Sequence, residues 1–151
     1  MGKVASLIKE MSGHRVYIDT NVFIYFLDRN PVYFPIARQL MYAIDSGDIT
    51  GITGDVTIAE TLVKPYRTGN TELIAGIKGF FHAEGFLCLK PHDAETFDLA
   101  AQLRAKEGMK FIDALHYATA IRSGCTFFIT NDLGIKTNHM LHIVSLSSLR
   151  A

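Results

Sequence analysis

The sequence predicts an α/β fold on a mainly parallel sheet, and three observations carry that prediction. Short runs rich in β-branched and aromatic residues (16–18, 49–53, 86–89, 127–129, 142–144) alternate with longer stretches of helical spacing. The runs at 16–18 and 127–129 are apolar throughout, as strands covered on both faces require. Both stop at polar residues, Asp19-Thr20-Asn21 and Thr130-Asn131-Asp132, and the carboxyl ends of parallel strands are where ligands gather.

In chain order, Val4, Leu7, Ile8 and Met11 give a leading helix that ends at Ser12-Gly13. Val16–Ile18 is the first strand, and a helix follows from about Val22 to Asp28 before the turn Arg29-Asn30-Pro31. Ile36, Ala37, Leu40, Met41 and Ile44 set a helix over 34–44, stopped by Ser46-Gly47-Asp48. Strand 49–53 leads into a helix carrying Ile58, Ala59, Leu62 and Val63 on one face, which Pro65 is expected to end or kink. Helix 71–84, strand 86–89 and helix 93–106 follow, the last with Phe97, Leu99, Ala100 and Leu103 inward. Helix 111–123 closes at Gly124, and strands 127–129 and 142–144 complete the pattern.

The composition bounds the function. A length of 151 residues with 48% hydrophobic content predicts one domain, 1–151, able to bury a sizeable core. Lys+Arg and Asp+Glu number 15 each, so a polyanionic partner must be held by a local patch or through metal ions. Cys88 and Cys125 lie in apolar surroundings and read as buried, reduced thiols. With no secretory h-region and no apolar run near the ~20 residues that span a bilayer, a soluble cytoplasmic protein is expected, without a membrane partner.

Asp19, Glu60, Asp113 and Asp132 stand at element junctions. Asp19 and Asp132 follow strands; Glu60 and Asp113 lie in the first turns of helices that would start at the same edge. On a parallel sheet all four can converge at its carboxyl end, where their mutual repulsion calls for a divalent cation. Oxygen donors without an accompanying His or Cys set favour Mg²⁺ or Mn²⁺. The chemistry that follows is metal-assisted phosphodiester hydrolysis. Local alternatives exist for each acid. Asp19 or Asn21 would cap the helix after the first strand, and Thr57-Ile58-Ala59-Glu60 fits a capping box. Asp113 would favour a helix dipole, and Asn131–Gly134 would form an Asx turn. The remaining acids read as solvated or capping charges, with Asp55 the one that also follows a strand.

The segments Tyr17-Ile18-Asp19-Thr20-Asn21-Val22, Ile58-Ala59-Glu60, Phe111-Ile112-Asp113-Ala114-Leu115-His116-Tyr117-Ala118-Thr119-Ala120 and Phe128-Ile129-Thr130-Asn131-Asp132 together resemble the PIN-domain family, and in size its VapC-type toxins. The resemblance spans about residues 16–146. It implies a Rossmann-like three-layer α/β/α sandwich, Mg²⁺- or Mn²⁺-dependent endoribonuclease activity, homodimers and, for the toxins, inhibition by a small antitoxin protein. It also implies metal ligation by Asp19, Asp113 and Asp132, with Glu60 as a ligand or water-orienting base. Thr130 and Asn131 would support the site through bonds to water or phosphate.

Lys106, Lys110 and Lys136 flank these segments and are candidates for phosphate contacts. His116, one turn beyond Asp113, is a candidate for the same role, against the alternative of a partly exposed helix histidine. His82, His92, His139 and His142 form no metal-ligand pattern. Tyr33-Phe34, Tyr42 and Phe80-Phe81 are expected in the core, although an exposed patch among them would suit a dimer or an antitoxin helix. Two rival functions are a non-catalytic binding module, in which the acids only cap helices, and a haloacid-dehalogenase-like phosphatase. The phosphatase needs a second acid where this chain has Asn21.

Overall fold

A computed structural model describes residues 2–132, 134–135 and 140–151. The elements run α1 (Lys3–Met11), β1 (Arg15–Ile18), α2 (Thr20–Leu27), α3 (Phe34–Asp45), β2 (Thr50–Gly54), α4 (Val56–Thr68), α5 (Thr71–Phe81), β3 (Cys88–Lys90), α6 (Ala94–Glu107), α7 (Phe111–Arg122), β4 (Phe127–Thr130), β5 (His142–Ser145) and a short 3₁₀ turn, Leu146–Leu149. Among the described residues the sheet is wholly parallel, in the order β3-β2-β1-β4-β5.

The strands are apolar on both faces because both faces are covered. Side chains alternate across a strand, so Val16 and Ile18 of β1 join one core while Tyr17 joins the other; Phe127 and Ile129 part from Phe128 in the same way. Residues of α1, α2, α3 and α5 close the first core, and α6 and α7 close the second. The result is the expected three-layer α/β/α sandwich. Strand order reverses between β1 and β4, opening a crevice at their carboxyl ends.

Several local expectations change. Phe86 and Leu87 pack against the core without pairing, and β3 begins two residues later, at Cys88. Pro65 sits inside α4, which runs three residues further and closes on left-handed Gly69 (φ 67°). Phe97 is not inward: it is 44% exposed, whereas Ala100 and Leu103 are buried. Phe80 and Phe81 pack edge-on to Phe23 as core residues, but Tyr42 is 59% exposed. Both cysteines are free thiols, Cys125 buried and Cys88 half-buried. Among the described residues no helix is long and apolar enough to cross a membrane.

Gly51 shows how tightly α3 lies on the sheet. A Cβ there would fall 2.7–2.9 Å from three atoms of the Ile44 side chain, itself buried. Gly51→Ala is expected to destabilise the fold by about 1–3 kcal/mol, the usual cost of overpacking. The loss should show as a lower urea midpoint and be partly regained when Ile44→Ala is added.

Candidate acidic site at the strand switch point

Asp19 is the first residue past β1, held by the ladder bond from its N–H to Ile129 O (3.0 Å). It is the N-cap of α2, as the capping alternative proposed, with Oδ1 accepting the Thr20 N–H (2.8 Å). Its Oδ2 accepts the Thr130 hydroxyl (2.7 Å) and, more weakly, the Asn21 amide (3.4 Å), so β1 and β4 are joined across the crevice. The carboxyl is 5% exposed, and burial pushes its pKa up against the lowering influence of His116 and the hydrogen bonds from Thr130 and Thr20.

Glu60 belongs to the second turn of α4, because the helix starts at Val56 and places Thr57 inside it. The capping box is therefore absent. Thr57 is buried and bonds Thr53 (2.7 Å), and the Glu60 carboxylate accepts from the Thr20 hydroxyl (2.6 Å) and meets His116 Nε2 (2.8 Å). Burial raises the Glu60 carboxyl, but the bonds from His116 and Thr20 outweigh it and hold the group below its usual range.

His116 is 1% exposed, which overturns the partly exposed alternative. Its Nδ1 lies 2.6 Å from the Tyr17 hydroxyl, which also accepts the Gly54 N–H (3.1 Å). Tyr17 thus donates to Nδ1, and Nε2 faces Glu60, Thr20 (3.1 Å) and Asp19 (3.5 Å). With both nitrogens engaged inside the protein, the ring stands behind the carboxylates and does not reach out as a phosphate donor. Gly54 is required here: a Cβ would lie 2.5 Å from the His92 ring and 3.1 Å from Tyr17 Oη. His92 in turn accepts the Val56 N–H through Nε2 (3.1 Å), pinning the start of α4.

Asp113, in the first turn of α7, and Asp132, after β4, form the other side of the site. Burial, the neighbouring Asp132 and then Asp19 push the Asp113 carboxyl up to about 6. Asp132 also accepts the Gly134 N–H (2.8 Å), the bond expected of an Asx turn, and its own N–H donates to Thr130 Oγ1 (2.9 Å). Asn131 is held by the scaffold. Its amide donates to Tyr25 Oη (3.2 Å), and its Oδ1 accepts from Ser147 N (3.0 Å) and Ser145 Oγ (3.3 Å).

Asn21, where a dehalogenase-like phosphatase would need an acid, uses its Oδ1 to accept the Asn131 N–H (3.2 Å). Asp55 lies exposed at the same edge, without a capping bond. Lys106 and Lys110 are exposed, Lys110 at the N-cap of α7; Lys136 and His139 lie outside the described residues. Among the described residues no group of three or more His, Cys, Asp or Glu side chains is disposed to hold a metal ion.

The sequence reading missed Tyr17, Thr20, Thr53 and Thr57, which hold the acids in place. The one available signal was polar hydrogen-bonding groups in or beside apolar strands, since such groups need partners once buried.

Acids gathered at the switch point of an α/β/α sandwich point to a class of protein, and comparison with known proteins gives its family. The PIN-domain family model matches residues 16–138, so the chain belongs to the PIN-domain family. No curated protein sequence matches significantly. Among solved structures, the chain is similar to DNA-bound VapBC from Salmonella typhimurium (TM-score 0.68, 18% identity, covering 88% of this chain and 98% of that one). It is also similar to FitAcB from Neisseria gonorrhoeae (TM-score 0.63, 18% identity, 89% and 99%). A third is the Mycobacterium tuberculosis VapC20 toxin, which cleaves the sarcin-ricin loop (TM-score 0.62, 14% identity, 75% and 86%).

Two outcomes follow from the geometry. Because the folded Asp113 carboxyl lies near 6 and an unfolded Asp near 4, its ionisation opposes folding; the penalty is absent below about pH 4 and complete above about pH 6. In EDTA, Asp113→Asn should raise stability at pH 8 by about 1 kcal/mol, reduced from the full linkage value because the group is half-exposed, and change nothing at pH 4 in thermal melts. Tyr17→Phe leaves the Gly54 N–H and His116 Nδ1 without their partner, so a loss of about 1–3 kcal/mol is expected in denaturant titration.

Proposed function

We propose that this protein is a metal-dependent endoribonuclease and the toxin half of a toxin–antitoxin pair. The observation that carries the reading is the crowding of Asp113 against Asp132, with Asp19 near, at the strand switch point; it lifts Asp113 far above an ordinary carboxyl. A set of acids that repels itself is what a cation relieves. The donors are all oxygen, which fits Mg²⁺ or Mn²⁺. Mg²⁺ takes one or two carboxylates and completes its shell with water and substrate phosphate.

Asp19, Asp113 and Asp132 are the proposed ligands. A bound cation would supply an acidified water and neutralise charge developing on the phosphate. Thr130 fixes the Asp19 carboxylate, and Thr20 and His116 fix that of Glu60. A carboxyl held below its usual range is a weak proton acceptor, so Glu60 acts by orienting water through an accepted hydrogen bond.

Support for RNA as substrate comes from the similarity to a toxin that cuts the sarcin-ricin loop. Support for an antitoxin partner comes from toxin–antitoxin complexes such as that of Klebsiella pneumoniae (TM-score 0.62, 16% identity). A homodimer is part of the same reading. The competing binding-module reading draws on the capping bond of Asp19 to Thr20 and requires that no divalent cation bind.

A mixed RNA pool incubated with purified protein should be cut with Mg²⁺ or Mn²⁺ and not with EDTA. Asp19→Asn and Asp113→Asn should each slow cutting by roughly 10²-fold or more, as expected for loss of metal-assisted charge stabilisation. No cutting together with no Mn²⁺ binding by calorimetry would overturn the assignment in favour of the binding module.

A further inference from the structure

Phe97 and Phe111 are each 44% exposed, and their rings lie parallel (4°) with centroids 6.4 Å apart. The Arg104 guanidinium stands 6.0 Å from the Phe111 centroid. Large rings left half in water at the start of a buried helix are poorly explained by packing, since α7 buries every residue from Ala114 to Ala120. Beside them Ala101, Arg104, Ala105, Gly108 and Met109 line an open hollow of about 450 Å³, largely floored by small residues. The charges around them are mixed: Arg104 and Lys110 are exposed and in no ion pair among the described residues, Glu95 is paired with Arg122 (2.8 Å), Asp98 beside Phe97 is exposed, and Lys106, two residues past Arg104, turns to the other side of α6. Phe111 and Asp113 share the first turn of α7, the ring and the acid on different sides of the helix, so the platform and the acid lie at the same helix end.

We propose that the Phe97–Phe111–Arg104 surface is a stacking platform for the bases of single-stranded RNA, holding an unpaired segment beside the acidic crevice. Aromatic faces and guanidinium planes are the groups on which unpaired bases stack, and Lys110 at the start of α7 is the cation placed to meet a phosphate. Bases within a duplex are already stacked and cannot reach the rings, so the platform selects loops and single strands. The inference rests on the reading of the adjacent acids as an RNA-cutting site, but binding here needs no metal and can be tested apart from it.

The test is fluorescence anisotropy of the Asp19→Asn protein with labelled short single-stranded RNA, in EDTA and low salt. Phe97→Ala and Phe111→Ala should each weaken binding roughly ten-fold, within the range for loss of one stacked base. Phe111→Tyr should preserve affinity and Phe111→Leu, which keeps apolar bulk without a ring, should not. Lys110→Gln should flatten the salt dependence, and duplex RNA should bind poorly. Melting curves on the half-exposed positions verify folding. The proposal is overturned if no single strand binds, if the Phe97→Ala/Phe111→Ala protein binds as well as its parent, or if sedimentation shows that this pair of substitutions instead dissociates a dimer. Ring-dependent binding by a protein that never cuts RNA would uphold the platform while the nuclease reading fell; cutting unaffected by loss of both rings would do the reverse.

Discussion

Covering a parallel sheet on both faces leaves its edges as the places where polar chemistry can meet solvent, and the structure follows from that constraint. The central strands β1 and β4 bury mostly apolar side chains, and the carboxylates stand at residues past their carboxyl ends. The reversal of strand order between β1 and β4 then separates the helices there and leaves a gap that Asp19 and Asp132 flank. Helices α4 and α7, starting at the same edge, bring Glu60 and Asp113 to it.

Carboxylates so close together work against folding, and the scaffold is arranged to bear them. Thr20, Thr130 and His116 supply hydrogen bonds to Asp19 and Glu60, which sit in fixed positions behind the opening. Asp113 and Asp132 are less supported and more exposed, and it is Asp113 whose carboxyl departs most clearly from the ordinary range among the exposed acids. The two pairs thus differ in how they are held: Asp19 and Glu60 by hydrogen bonds from the scaffold, Asp113 against the repulsion of its neighbours.

Much of this was legible in the sequence. The continuous apolar runs of β1 and β4 and the polar stops that follow them point to a covered parallel sheet, and all four acids stand out by their junction positions. What remained hidden depends on partners far along the chain. Helical spacing marked Phe97 as inward, but spacing cannot say how far the covering helix extends, and the ring emerges half-exposed. Thr57 and Glu60 have the offset of a capping box, yet α4 begins two residues earlier than that reading needs, with Asp55 as its N-cap, and the two side chains turn to β2 and α2. His116 looked like a surface histidine because its partner Tyr17 lies 99 residues away on the first strand.

Asn131 gives the site an unexpected geography. By holding Tyr25 of α2 and Ser145 and Ser147 near the last strand, it ties the segment that carries Asp132 to two remote parts of the chain. The acid's position is therefore a property of the last strand and its following turn as well as of β4. A change that loosened the last strand and its turn would on this geometry displace Asp132 while leaving the β1–β2 and β1–β4 pairings in place.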